Sequence, residues 1–221
     1  MSSRATPGEL SAGLLVHPAG LRACGSAVAS LNGLRFPREK MHKRLSFIAL
    51  VLLVIGLPAP VAGADVALGT RSLLGGLVEM LVPTSFQPMP EDLLRLKYPM
   101  ERRPTLVLAN ETGSVSVALN HTRDPVPLAR LSEFHRALEG SFRRLYPSAV
   151  WFRSELTALN GRQFILLELR TPALDSEIRN LMLATSVDER MLLIAVNMTK
   201  ELESQWLGPA HRMVQSVTVK K

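Results

Sequence analysis

The sequence predicts an α+β domain in which an antiparallel β-sheet is covered by helices. Paired apolar runs joined by short turn segments read as hairpins, and stretches with the spacing of amphipathic helices lie between them. The sharpest local signal is Asn160-Gly161 between two strand-like runs, the pair best suited to a tight hairpin turn. Hairpins with inserted helices must bury one sheet face under those helices, which is the α+β arrangement.

An export signal stands well inside the chain. Met41 is followed by the basic head His42-Lys43-Arg44, residues 47–57 are apolar apart from Gly56, Pro58 stops the run, and Ala62-Gly63-Ala64 supplies small residues. A spanning helix needs about 20 apolar residues, whereas a secretory signal has roughly 7 to 15 between a basic head and a small-residue cleavage box. Residues 41–64 therefore read as a signal peptide, running from Met41 to Ala64 and cleaved before Asp65. A buried core helix and an uncleaved anchor are the alternatives. Residues 1–40 are rich in Ala, Gly, Ser, Pro and Arg without sustained apolar periodicity. They read as a disordered, non-native upstream extension with Met41 as the true start. A targeting presequence is the competing reading of the same composition.

Residues 65–76, small and polar with Gly75-Gly76, are expected to be a flexible lead-in, and residues 77–221 a single domain. Residues 77–82 form a short apolar strand ended by Pro83. Pro90 is expected at the first helical position with Glu91 and Asp92 in the first turn, and Tyr98-Pro99 ends that helix because the residue before Pro is pushed out of the helical region. Residues 105–109 and 114–121 flank Asn110-Glu111-Thr112-Gly113 as a hairpin, with Val115, Val117 and Leu119 alternating with small residues. Leu131, Phe134, Leu138, Phe142 and Leu145 recur at helical spacing, so residues 128–146 are an amphipathic helix closed by Pro147. A second hairpin joins residues 150–159 to 163–170, and a third joins 178–187 to 191–197 around Asp188-Glu189. Residues 201–207 start a last helix, which Gly208-Pro209 breaks or kinks before residues 210–215. Residues 216–219 alternate briefly as a closing strand.

The whole chain is strongly basic, with a net charge of +7 and a pI near 10.2, which by itself would suggest nucleic acid. Residues 1–64 hold seven of the Lys/Arg and two of the Asp/Glu, leaving 19 basic against 17 acidic residues in the 157 that follow. That near-neutral remainder removes the main support for a nucleic-acid or polybasic membrane partner. Cys24, the sole cysteine, is also upstream, so the exported product would carry neither thiol nor disulfide. It would equally lack a membrane span. A chain of that length buries around 70% of its unfolded surface without such staples.

From "VEMLVPTSFQPMPEDLLRLKYP" through "RPTLVLANETGSVSVAL", "LNGRQFILLEL" and "MLLIAVNMTKELESQW" to "MVQSVTVK", the chain resembles the PsbP/DcrB-like superfamily over residues 77–220. The resemblance rests on element order and on strand and turn phrases. It implies an α/β/α sandwich around an antiparallel sheet. Members serve as extrinsic subunits, chaperone-like binders and accessory factors, so the implied activity is protein binding. No ligand residues carry over.

The residues nominate no catalytic, cofactor-binding or metal site, and no cofactor. His121, His135 and His211 lie far apart, without a second ligand at metal-motif spacing. Gly-x-Ser-x-Gly, phosphate-loop and dinucleotide patterns are missing. Glu168 and Arg170 share a strand face, and Glu155 could lie across the hairpin from one of them. An ordinary ion pair on a solvated face outweighs an acid/base pair there. Asn110, Asn120 and Asn197 each begin an N-glycosylation pattern, but each also sits where a strand ends, a natural place for a turn-forming Asn. Arg136, Arg143 and Arg144 read as a solvated helix face, and Trp151 and Trp206 as core or rim aromatics.

The expected function is therefore that of a periplasmic or secreted, non-enzymatic accessory protein of the cell envelope that binds an envelope protein. A carrier of a small apolar ligand between sheet and helices and an unrecognised hydrolase are the rivals. Two reporter fusions, beginning at Met1 and at Met41 and ending just after Asp65, test the export signal. The Met41 fusion is expected to be exported with Asp65 as its new N-terminus, as read by mass spectrometry; a reporter held in the cytoplasm would refute the signal.

Overall fold

The computed structural model describes residues 66–99, 103–173 and 176–220. The expected upstream extension and signal peptide lie outside them. In chain order the elements are β1 (Leu68–Leu73), β2 (Val78–Pro83), β3 (Gln87–Pro88), α1 (Glu91–Lys97), β4 (Leu106–Ala109) and β5 (Val115–Pro125). They continue with α2 (Leu131–Leu145), β6 (Val150–Leu159), β7 (Arg162–Pro172), β8 (Glu177–Val187), β9 (Arg190–Thr199), α3 (Glu203–Gln215) and β10 (Thr218–Val219). Short 3-10 turns precede α2 and α3.

Seven strands form one antiparallel sheet in the order β3-β4-β5-β9-β8-β7-β6, and β1-β2-β10 form a small three-stranded sheet. The middle of the large sheet is apolar on both sides. Every residue of β8 from Ile178 to Val187 is buried, and so is β9 from Met191 to Met198. Such strands lose the alternation of a half-exposed sheet and require cover on both faces. On one face lie α1 and α2, where Tyr98, Leu131, Leu138 and Phe142 pack on Ile165, Leu167, Met182 and Leu193. On the other lie α3 and the small sheet, where Val78, Met80, Trp206 and Met213 pack on Val117, Leu183, Ile194 and Val196. The Phe86 and Trp206 rings meet at 5.5 Å between centroids. The result is the expected α+β sandwich, with one outer layer part helix and part sheet.

Three local expectations need correction. The flexible lead-in expected over residues 65–76 instead contains β1, which pairs with β2 from Leu68 opposite Pro83 to Leu73 opposite Val78. Only Leu73 of this strand is buried; β1 is an edge of the small sheet, so backbone pairing holds it without an apolar pattern that the sequence could display. Pro90 is the residue before the helix, with an extended ψ of 144°, and α1 starts at Glu91. Finally, α3 runs unbroken through Gly208-Pro209. A residue before Pro is kept from helical angles partly by its own Cβ, which Gly208 lacks. The carbonyl that loses its bond to Pro209 belongs to Gln205, an exposed residue.

The three hairpins form as expected. At Asn160-Gly161 both residues have positive φ, 48° and 78°, and so do Asp188 and Glu189, at 48° and 56°. These are the mirror-image turns whose twist matches the strands they join. Asn160 also donates through Nδ2 to the carbonyls of Gln215 and Val217, at 3.2 and 2.8 Å, which ties this hairpin to the end of α3. Nothing lies within 4 Å of a Cβ built on Gly161, so a side chain there is strained by backbone geometry alone. Gly161→Val should cost on the order of 1 to 2 kcal/mol, and Glu189→Gly should gain up to about 1 kcal/mol by relieving the same geometry. Urea midpoints that move in the same direction for both variants would refute this account of the turns.

Candidate functional site

The strand at the rim of the large sheet, β6, differs from the rest in being open along its length. It is ten residues long and none of its residues is fully buried. Val150, Phe152 and Leu156 are exposed by 46, 44 and 37%, and Leu145 at the end of α2 by 50%. A β-bulge interrupts its ladder with β7. Trp151 stands opposite Leu169 and Arg153 opposite Glu168, which leaves Phe152 without a partner residue. Three large residues in succession, Val150, Trp151 and Phe152, are the trace of this bulge in the sequence.

Beneath Phe152 lies a charged cluster on the face covered by α3. Glu168 and Arg179, both buried, form an ion pair between β7 and β8. The Arg179 guanidinium sits 3.3 Å from the Phe152 ring centroid and that of Arg170 sits 5.5 Å away. Arg170 grips Glu203 with two bonds of 2.8 Å. Glu203 raises the Arg170 pKa through those bonds, and as an acid in the first turn of α3 it also suits the helix dipole. Near the other end of α3, His211 Nε2 approaches Glu168 Oε1 at 3.3 Å. Polar contacts near both ends thus fasten α3 to β7. Beside them, Arg153, Thr157, Leu166, Glu168, His211 and Gln215 help line a cleft of about 80 Å³.

On the opposite face β6 is fastened to α2. Ser154 Oγ donates to Glu139 Oε2 at 2.7 Å, and His135 Nε2 lies 2.8 Å from the same Oγ. Glu139 also receives Arg143 Nε at 2.8 Å, and Arg143 lies over the Trp151 ring at 4.4 Å. The Ser154 bond, followed by Arg143, holds the Glu139 carboxyl below its usual range. A serine, a histidine and a glutamate meet here, but in the wrong order for a nucleophile. The hydroxyl proton is directed to the carboxylate, so the His135 nitrogen donates to Ser154 and is not its base. Sequence reasoning left Ser154 and Glu139 unmarked; the spacing of Glu139 one turn beyond His135 was the available signal.

The residues singled out from the sequence thus separate in space. Glu155 stands opposite Leu166 and pairs at the surface with Arg153, while Glu168 lies on a buried face and pairs with Arg179. Glu168 therefore pairs across β7–β8 and not across the second hairpin to Glu155, and its pair is buried where a solvated one was expected. His121 Nε2 meets the Val187 carbonyl at 3.2 Å, remote in the fold from the partners of His135 and His211. Among the described residues no group of three or more His, Cys, Asp or Glu is gathered as a metal site. Asn110 accepts from the Val115 amide and donates to Ser114, which is a turn-forming role. Asn197 is buried, which leaves no access to a glycan in the folded domain. Trp206 is core and Trp151 is at the rim, as expected. Arg136, Arg143 and Arg144 are exposed.

No protein-family model matches the chain, and no curated protein matches it. Among solved structures it is similar to a cyanobacterial PsbP from Synechocystis, with a TM-score of 0.50 and 12% identity, covering 75% of this chain and 99% of that one. It is also similar to LpqN of Mycobacterium tuberculosis, described as involved in cell envelope biogenesis (TM-score 0.47, 10% identity, 70% and 91% covered). A third is the Saccharomyces cerevisiae Ran-binding protein Mog1p (TM-score 0.43, 14% identity, 70% and 96% covered). The PsbP likeness establishes a PsbP-like fold.

The buried ion pair gives a direct test. Glu168→Gln should cost about 3 to 5 kcal/mol, because it leaves the Arg179 charge buried without its counter-charge, whereas replacing both residues with Met should restore most of that loss. Urea denaturation of the single and double variants measures the difference. A single variant as stable as the parent would show that the pair is not buried as described.

Proposed function

We propose that this protein is an exported, non-enzymatic accessory factor of the cell envelope, and that it acts by binding another protein along the open edge strand β6. The observation that carries the reading is that strand itself: ten residues at the rim of a seven-stranded sheet, with Val150, Phe152 and Leu156 exposed. An edge strand presents unpaired backbone groups to an incoming segment, and its exposed side chains select which segment is accepted. The bulge at Phe152 and the charges of Arg153 and Glu155 blunt the edge against indiscriminate pairing. Ser154, tied to α2, keeps the strand in place before a partner arrives.

The envelope location rests on the signal-like residues 41–64 and the cleavage box before Asp65. Among the described residues, no helix is long and apolar enough to cross a membrane. A protein partner is favoured over a small apolar ligand at the α3 side of the sheet. The cleft there, about 80 Å³, is far smaller than the roughly 300 to 1,000 Å³ of a ligand pocket. The order of the Ser154, His135 and Glu139 bonds argues against a hydrolase.

A photo-reactive residue placed at Phe152 in the full chain, in cells of its own source, tests the docking edge. A discrete protein adduct is expected at Phe152, and none from the same residue at Leu96, which is as exposed but lies on α1. Adducts of equal yield from both positions, or from Leu96 alone, would overturn the assignment of β6.

A further inference from the structure

On the sheet face covered by α1 and α2, the apolar core contains a polar break that the binding reading does not use. Ser116 on β5 stands directly opposite Asn197 on β9, and Asn197 directly opposite Asn180 on β8. Two residues along the same strands, Ala118, Ala195 and Met182 belong to the core that Tyr98 also joins, so the four polar side chains share that face. All four residues are at least 98% buried. Among the described residues, no hydrogen bond of ordinary length and angle reaches Tyr98 Oη, Ser116 Oγ, Asn180 Oδ1 or either amide atom of Asn197, although Ser116 and Asn197 stand close enough to the Tyr98 hydroxyl to act on it as weak partners. The Asn180 Nδ2 is occupied, donating to Thr171 Oγ1 at 3.1 Å and to the Ile178 carbonyl at 2.9 Å. Its amide is thereby fixed, with Oδ1 left over.

Five such atoms in one place are not an acceptable end state for a folded domain, because each buried and unmatched polar group costs a sizeable part of the whole stability. The chemistry of the cluster defines what would satisfy it. It holds no charged side chain, so an ionic guest would lose its hydration with no counter-charge to replace it. It offers donors, through the Asn197 amide and two hydroxyls, together with acceptors, through the Asn oxygens and the same hydroxyls. The guest must therefore both give and accept hydrogen bonds while staying neutral. Water does this in the least space, and at roughly three bonds per buried molecule about two waters would serve five atoms.

We infer that Tyr98, Ser116, Asn180 and Asn197 wall an internal site for ordered water between the large sheet and the α1–α2 layer. Burial pushes the Tyr98 phenol up to about 12, and weak hydrogen bonding from Ser116 and Asn197 draws it partly back. The site lies on the opposite face of the sheet from the α3 cleft, and its failure would leave the role proposed for β6 standing.

Nuclear Overhauser spectra of the ¹⁵N-labelled full chain in water test it directly. Cross-peaks between water and the Asn197 side-chain amide protons are expected with the sign of a long-lived, bound water. Their absence would overturn the site, as would an organic molecule found there in a crystal structure. The stability of two variants gives a second reading. If water holds these atoms, Asn197→Leu and Tyr98→Phe should each lower the thermal midpoint, since each removes a partner of the bound water. A midpoint that rises in both would mean that the atoms are unpaired in the folded protein, and would refute the proposal.

Discussion

The architecture follows from the double burial of the β8–β9 hairpin. From Ile178 to Val187 and from Met191 to Met198 the chain has no solvent-facing residue, so two covering layers are obligatory. The chain meets that demand unequally. Helices α1 and α2 cover one face, while α3 must be completed by the small sheet on the other. Strand β2 serves that second layer through Val78, Met80 and Val82, and β1 and β10 exist chiefly to pair with it.

Cover on the α3 side thins towards β7, and there the chemistry changes from apolar packing to paired charge. Phe164 and Leu166 give way along the strand to Glu168 and Arg170. Each finds an opposite charge, one in Arg179 and the other in Glu203, and Phe152 closes over the two guanidinium groups. A buried pair of this kind adds little to stability compared with apolar residues of the same volume, but it penalises any arrangement that separates its members. The Arg170–Glu203 pair and the His211–Glu168 contact then tie α3 to the same strand. The edge strand is thus held by contacts on both of its faces, Phe152 to the guanidinium groups and Ser154 to Glu139, while none of its residues is fully buried.

Much of the fold was legible in the residues, and the reasons are local. Asn160-Gly161 declares its turn because few other pairs tolerate two positive φ angles, and the stripe from Leu131 to Leu145 declares its helix through periodicity. Where the sequence misled, a local rule was overridden by context. Gly208-Pro209 looked like a break, yet Trp206 and Ala210 on either side are buried in one continuous interface, and their packing outweighs one lost backbone bond. Strand β1 looked like a linker because its pairing is carried by backbone groups that every residue has.

The sequence by itself determined the fold class, the three hairpins and the near-neutral charge from Asp65 onward, because turn chemistry, apolar period and composition are properties of neighbours along the chain. Only the tertiary structure decided which strand lies at the rim, that Glu168 meets Arg179 and His211 while Glu155 stays with Arg153 at the surface, and that Tyr98, Ser116, Asn180 and Asn197 face one another. Those contacts join residues from 11 to 43 positions apart around Glu168. Their register depends on one extra residue at Phe152 and on strand order, and neither leaves a periodic signal in the sequence.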